Sequence, residues 1–237
     1  MMNTDYIETQ KRYWNQEEIV EHFRKGVASD YWIKFINETD IQGKILDLGC
    51  GGGRNFSYFA GQGFDVYGCD LHEHMVETSR KMVEDIVKPY NYVDRVIKAN
   101  VLELPYQDNM FEAVIANGLY HNLESIEHFR QAISETARVI EEGGYLCLNM
   151  FDATTVDESL TKMDIEYLYM TPDGASMILL PSKLIIQILS ENRLINCCKI
   201  LHYSRKVFSG ERSVLRSVFQ KRKHGVEKEE EEKKVYE

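Results

Sequence analysis

No stretch of this 237-residue chain approaches the roughly 18 consecutive apolar residues that span a bilayer, and its opening, MMNTDYIETQKRYW, lacks the apolar middle of a secretory signal. The expectation is a cytoplasmic protein with no membrane partner. Cysteine is sparse: Cys50, Cys69, Cys147, Cys197 and Cys198 are odd in number and form no C-x-x-C pair, which argues against zinc or a redox couple and predicts reduced, mostly buried thiols. Basic residues are in deficit, 28 Lys and Arg against 38 Asp and Glu, and a net charge of −10 opposes a large footprint on a phosphate backbone. No nucleic-acid partner is expected on that ground. Internal repeats and domain-separating linkers are absent as well. The composition that remains, 43% hydrophobic and 28% charged, is that of a globular chain with a sizeable core.

From residue 43 the sequence alternates short β-rich runs with helix-period segments, the pattern of a parallel sheet covered on both faces. Strands are predicted at Lys44–Leu48, Asp65–Gly68, Arg95–Ala99, Glu112–Ala116 and Tyr145–Met150. Met75, Val76, Met82, Val83 and Ile86 share one helix face; so do Ile126, Phe129, Ile133, Ala137 and Ile140, with Ser125 placed to cap and Gly143-Gly144 to terminate. A helical segment over NQEEIVEHFRKGVASDYWIKFINET precedes the alternation, Phe151 to Leu180 reads as irregular, and SKLIIQILSEN resumes helix. The runs Asn196–Phe208 and Ser213–Lys221 complete seven strands as an antiparallel pair at one edge, where the basic stretch LRSVFQKRKH discourages further pairing. EKEEEEKKVYE is a charge run, expected to be solvated.

The stretch KILDLGCGGGRN, Lys44 to Asn55, puts four glycines between a strand and an apparent helix, so that backbone N–H groups can approach a ligand at a helix N-terminus. A P-loop needs a lysine that does not follow. The dinucleotide pattern G-x-G-x-x-G needs glycine where Arg54 or Phe56 stands. What fits is Asp47-x-Gly49-x-Gly51-x-Gly53, which resembles motif I of the class I S-adenosylmethionine-dependent methyltransferases. Asp70, about 20 residues further at a strand end, stands where an acid can accept from both ribose hydroxyls, or cap the helix that starts near His72. The stretch IKANVLELPYQDNMFEAVIANGLYHNL is similar to the family's next segment, with Asn100 in place of a usual aspartate and Glu112 in place of another. The resemblance covers Gly43 to Phe151.

The resemblance implies a Rossmann-like, doubly wound α/β fold: a mainly parallel seven-stranded sheet with one antiparallel edge strand and helices on both faces. It implies one domain over 1–222, with a helical lid at 1–42, a cofactor-binding core at 43–151, a substrate-side insertion at 152–180 and sheet completion at 181–222; a charged flexible tail takes 223–237. It further implies S-adenosylmethionine as cofactor, S-adenosylhomocysteine as product and no metal. Asp47 would meet the methionine ammonium, Gly49, Cys50, Gly51 and Gly53 would give close backbone approach, Asp70 would hold the ribose, and Leu71 beside it would also bind the cofactor. Asn100, Val101 and Leu102 would bind adenine, and Asn117 and Gly118 would lie near the amino-acid end. After the fourth strand, Tyr120 and His121 are the candidate catalytic residues facing the acceptor; His121 serves either as a base titrating near pH 6.5 or as a hydrogen-bonding residue of a turn. Tyr13 and Trp14 either cover the cofactor or merely pack, and DIEYLYMTPDGASM is a candidate substrate wall. His72 and His74 would diverge on a helix, which argues against a metal there. The N-P-P-aromatic motif of base methylation is absent, with ANGLYHN in its place, so the expected acceptor is a small molecule. Two alternatives stand beside this reading: a cofactor-binding module without turnover, and an NAD-dependent oxidoreductase.

Overall fold

The computed structural model describes residues 13–86, 92–207 and 209–223, so the charge run EKEEEEKKVYE lies outside the described residues. The elements in chain order are α1 (Glu17–Arg24), α2 (Asp30–Glu38), β1 (Ile45–Leu48), α3 (Arg54–Gly61), β2 (Val66–Asp70), α4 (Glu73–Ile86), β3 (Val96–Lys98) and β4 (Phe111–Asn117). They continue with α5 (Ile126–Val139), β5 (Ile140–Phe151), β6 (Thr161–Lys162), β7 (Leu168–Met170), β8 (Ser176–Ile178), α6 (Ser182–Glu191), β9 (Leu194–Asn196), β10 (Leu201–Val207) and β11 (Gly210–Lys221). No helix among the described residues is long and apolar enough to cross a membrane.

β1 sits in the middle of the main sheet, whose strand order is β10-β11-β5-β4-β1-β2-β3, with short β9 paired to β11. All four β1 residues are buried, because helices cover both sheet faces and leave no polar side for the strand to show. β1 to β5 pair in parallel, whereas β11 runs antiparallel to β5, β9 and β10. Alternation of side chains divides the core in two. Leu46, Leu48, Leu146 and Leu148 meet Phe129, Ile133 and Ile185 of α5 and α6. On the other face Ile45, Ile115, Cys147 and Val218 meet Trp32, Phe56 and Val76 of α2, α3 and α4. Truncating one of these buried aromatics to alanine costs about 3–5 kcal/mol.

Several sequence expectations give way to tertiary structure. The first helical segment is two helices, separated at 25–29, where a Cβ on Gly26 would come to 3.0 Å from Arg54 Cδ. Ser125 caps α5 as expected, its hydroxyl accepting from the His128 N–H at 3.2 Å. Gly143-Gly144 does not end that helix: the chain turns straight into β5 at Ile140, which pairs with Phe111, and Lys221 Nζ donates to the Ile140 carbonyl at 2.6 Å. The basic stretch is not an edge, since β11 lies between β5 and β10 and buries Arg212 and Lys221. Residues 197–200 interrupt the strand expected over Asn196–Phe208. Within the segment read as irregular, β6, β7 and β8 form a small antiparallel sheet over Leu160, Met177 and Leu179. Cys50, Cys69 and Cys147 are buried and unbridged; Cys197 is exposed.

Candidate active site

A cleft opens where β1, β2 and β4 end, the place where the carboxyl ends of parallel strands leave a crevice. The glycine turn forms one wall. Gly49 and Cys50 both donate their N–H to the Cys69 carbonyl at 2.9 Å, which ties the turn to the end of β2. Gly51 has φ +54 and faces the cleft, with Phe23 Cδ1 as the nearest atom to a Cβ built there, at 3.6 Å. Gly53 has φ +87 and works differently: a Cβ would lie 2.5 Å from Ser79 Oγ, so this glycine lets α3 and α4 approach closely.

Gly53 caps α3 without a side chain, and Asp47 supplies the missing acceptor from β1. Its Oδ2 accepts from the Phe56 N–H at 3.0 Å, a carboxylate against the positive end of a helix. Burial raises its pKa to about 6, opposed by the Phe56 N–H and the nearby Arg54. Asp70 lies on the cleft wall, where its Oδ2 accepts from Gly51 N–H at 3.0 Å and its Oδ1 from His72 N–H at 2.9 Å. One carboxylate thus fixes the glycine turn and caps the start of α4, and each oxygen keeps a lone pair for a further donor. Burial raises its pKa, and the two N–H donors oppose the rise.

Asn100 and Val101 line the far end of the cleft. The Asn100 side chain makes a local turn, its Oδ1 accepting from Leu102 N–H at 3.0 Å. Leu71 is 51% exposed although large and apolar, and it borders the cleft. Opposite, Trp14 stacks on His72 with ring centroids 5.9 Å apart and tilts against Phe23 at 5.7 Å, and all three rings line the opening. Tyr13 packs edge-on against Trp14 and donates to Asp173 Oδ2 at 3.3 Å. The third wall is Asn117, Gly118 and Asn122, the last donating from Nδ2 to the Gly118 carbonyl at 2.9 Å.

Nine of the expected cofactor-side residues therefore share one cleft: Gly49, Cys50, Gly51, Asp70, Leu71, Asn100, Val101, Asn117 and Gly118. Asp47, Gly53 and Leu102 do not line it. The candidate catalytic pair is also displaced from the expected place. Tyr120 is fully buried beside Phe129 and shares a 2.7 Å hydrogen bond with Thr136, because the 3₁₀ turn Tyr120–Asn122 points that ring into the core. His121 stacks on Phe151 at 4.0 Å, and its Nδ1 accepts from the Phe151 N–H at 3.2 Å. Burial and the charges of Arg212 and Arg205 push its pKa down to about 3, so the ring stays neutral. The geometry supports the hydrogen-bonding role left open for His121. Phe23, Arg54 and Asn122 line the cleft without having been singled out; their positions on helix and turn faces look like ordinary packing in sequence. Among the described residues no group of three or more His, Cys, Asp or Glu is placed to hold a metal ion.

The fold is the Rossmann-like one of solved methyltransferase structures. Residues 46–148 match the model of the family described as a methyltransferase domain. It is 25% identical over 169 residues to a probable tRNA methyltransferase 9B of Mus musculus, covering 69% of this chain and 35% of that one. It is 31% identical over 140 residues to a demethylmenaquinone methyltransferase of Symbiobacterium thermophilum, covering 57% and 47%. The chain spans between a third and a half of the length of these curated relatives. Geranyl diphosphate C-methyltransferase from Streptomyces coelicolor has the same fold, with a TM-score of 0.62 at 14% identity over 93% of this chain and 99% of that one. The relatives with tRNA methyltransferase names overturn the expectation that nucleic acid is excluded. Net charge is an average over the whole surface, and it does not describe the field at one cleft.

Proposed function

We propose that this chain is an S-adenosylmethionine-dependent methyltransferase. The observation that carries the reading is the convergence of Gly49, Gly51, Asp70, Val101, Asn117 and Gly118 on one cleft. The cleft suits this cofactor chemically. Asp70 retains acceptor capacity for two hydroxyls after bonding Gly51 and His72, and Leu71 offers an uncovered apolar surface to a flat base. Asn100 and Val101 would hold the adenine, and Asn117 and Gly118 the amino-acid end. Asp47 would act through the helix it caps. When bound, the sulfonium supplies the methyl group for direct in-line displacement by the acceptor.

The chain's own task is then alignment and exclusion of water, and alignment alone corresponds to effective molarities on the order of 10⁵ M. Trp14 and Phe23 would close the cleft, and a ring near a sulfonium adds cation–π attraction. No general base is placed at Tyr120 or His121 in this reading. The acceptor is a small molecule entering past Asn117 and Asn122, a reading supported by the relative named as a demethylmenaquinone methyltransferase. A second acceptor, a nucleoside of tRNA, is supported by the relatives with tRNA methyltransferase names. The test is calorimetric titration with S-adenosylhomocysteine and NAD, followed by methyl-labelled S-adenosylmethionine with a small-molecule extract or total tRNA. Binding of the first ligand and transfer of label supports the reading, and the labelled fraction names the acceptor class. Binding without transfer to either fraction supports the non-catalytic module. Binding of NAD alone overturns the assignment.

A further inference from the structure

Beyond Asn117, the sheet gathers positive charge. In register across β4, β5 and β11, Asn117 lies beside Asn149 and Asn149 beside Arg216, so Arg216 is two strand spacings, roughly 10 Å, from the cleft wall. The Asn149 amide, its oxygen turned to the guanidinium, accepts from Arg216 Nε and Nη2 at 2.9 Å each and from the Tyr203 hydroxyl at 3.2 Å. The rings of Tyr203, Tyr31 and Trp32 surround the same guanidinium at 5.1, 5.5 and 5.7 Å. On the same sheet face Arg205 of β10 stands directly opposite Arg212 of β11. Arg54, on the cleft wall, feels Arg205 and Arg216, and His121 feels Arg205 and Arg212, so the four guanidiniums occupy one neighbourhood.

These arginines lack a partner that five other arginines have. Arg24, Arg95, Arg130, Arg138 and Arg193 each pair with a carboxylate. Among the described residues, Arg54, Arg205, Arg212 and Arg216 have none within 4.0 Å. Arg212 is 1% exposed; its Nη atoms bond Glu211 and Ser209, and its Nε has no partner. Asp157 and Asp173 are the acids that bear on it, and Asp157 already accepts from the N–H groups of Glu211 and Ser159. Like charges set opposite one another across a strand pair destabilise a sheet, so this arrangement serves folding poorly. Planar guanidiniums without a carboxylate partner are suited to a carboxylate or phosphate.

We propose that Arg205 and Arg216, backed by Arg212 and continuous with Arg54, bind an anionic group of the methyl acceptor, a carboxylate or a phosphate, and so select which acceptors enter. The proposal rests on the methyl-transfer reading. It places the anion on the sheet beyond Asn117 and the reacting atom at the cleft.

The test uses the full chain saturated with S-adenosylhomocysteine. Sodium phosphate and sodium benzoate are titrated separately at ionic strength balanced with chloride, and backbone amide NMR shifts are followed. Saturable shifts around Asn149, Arg205 and Arg216 are expected with at least one anion. Arg205→Gln and Arg216→Gln should each weaken that binding about tenfold, the loss of one charge-assisted hydrogen bond, with affinity for S-adenosylhomocysteine unchanged. Arg205 is exposed, so its variant tests the site even where Arg216→Gln disturbs folding. Phosphate alone binding assigns a phosphate-bearing acceptor, and benzoate alone a carboxylate. No saturation by either anion, or wild-type affinity in Arg205→Gln, overturns the proposal. Should S-adenosylhomocysteine fail to bind, the methyl-transfer reading falls, and the same titration on the free chain still judges the arginine site.

Discussion

Between β1 and β4 the chain offers a ligand its backbone, whereas from β5 to β11 it offers side chains. In the first region the glycine turn is bare on the cleft side, and its two fixed carboxylates, Asp47 and Asp70, spend their oxygens on main-chain N–H groups. In the second, Asn149, Tyr203, Arg205 and Arg216 come from three strands and meet across the sheet. Backbone recognition depends on conformations that few residues tolerate, so it fixes residue types at fixed spacing. Side-chain recognition depends on which strands lie together, so it tolerates change and leaves no local pattern.

The contrast is broken most severely at Gly53. Gly53→Ala forces a Cβ against Ser79 at a left-handed φ and should cost about 3 kcal/mol of stability, read as a lower urea midpoint. Gly51 has the same conformational demand but open space, so its alanine variant should stay folded better. Next, Asp70→Ala releases both Gly51 and His72 and removes the proposed ribose acceptor. Affinity for S-adenosylhomocysteine should fall about 100-fold by calorimetry. Unchanged affinity would refute the ribose assignment.

A pH scan separates the regions further. His121 has a folded pKa of about 3 against an unfolded value near 6.5. Between those values the unfolded chain takes up a proton that the folded one refuses. The stabilisation is therefore complete above pH 6.5 and lost on acidification, by up to about 1.4 kcal/mol per pH unit. Asp47 acts in the opposite sense: its folded pKa of about 6 exceeds the unfolded value, so stability rises as pH falls from about 6 to 4. Urea titrations of His121→Gln should show a flatter acid limb than the native chain, and an unchanged limb would mean that another group dominates. The smallest effect is expected for Tyr120→Phe, which removes the hydrogen bond to Thr136 and should cost about 1 kcal/mol with methyl transfer preserved. Lost transfer in a folded variant would restore Tyr120 to the acceptor side.

The parallel strands, α4, α5 and α6 were legible because burial on both faces writes continuous apolar runs and helical stripes into the sequence. The cleft was legible at Gly49, Gly51 and Asp70 because backbone geometry and a strand-end acid have positional signatures. The sequence left the roles of Tyr120 and His121 open because polar groups next to a site look alike in sequence whether they face the ligand or the core. Only the turn at Tyr120–Asn122 decides which, and that turn is set by packing against Phe129 and Phe151. The arginine cluster was invisible for a related reason: Arg205 and Arg216 lie on separate strands, and the run containing Arg216 resembled an ordinary edge.

The chain has two tryptophans, and each falls in one of the two regions. Trp14 stacks on His72 at the mouth of the cleft, and Trp32 is fully buried under the Arg216 guanidinium. Indole emission responds to local polarity and charge, so the protein carries a separate optical reporter for each half of its surface. Trp14→Phe leaves a fluorophore that watches the arginine side alone, and the order in which two ligands arrive can be followed by light without attaching a dye.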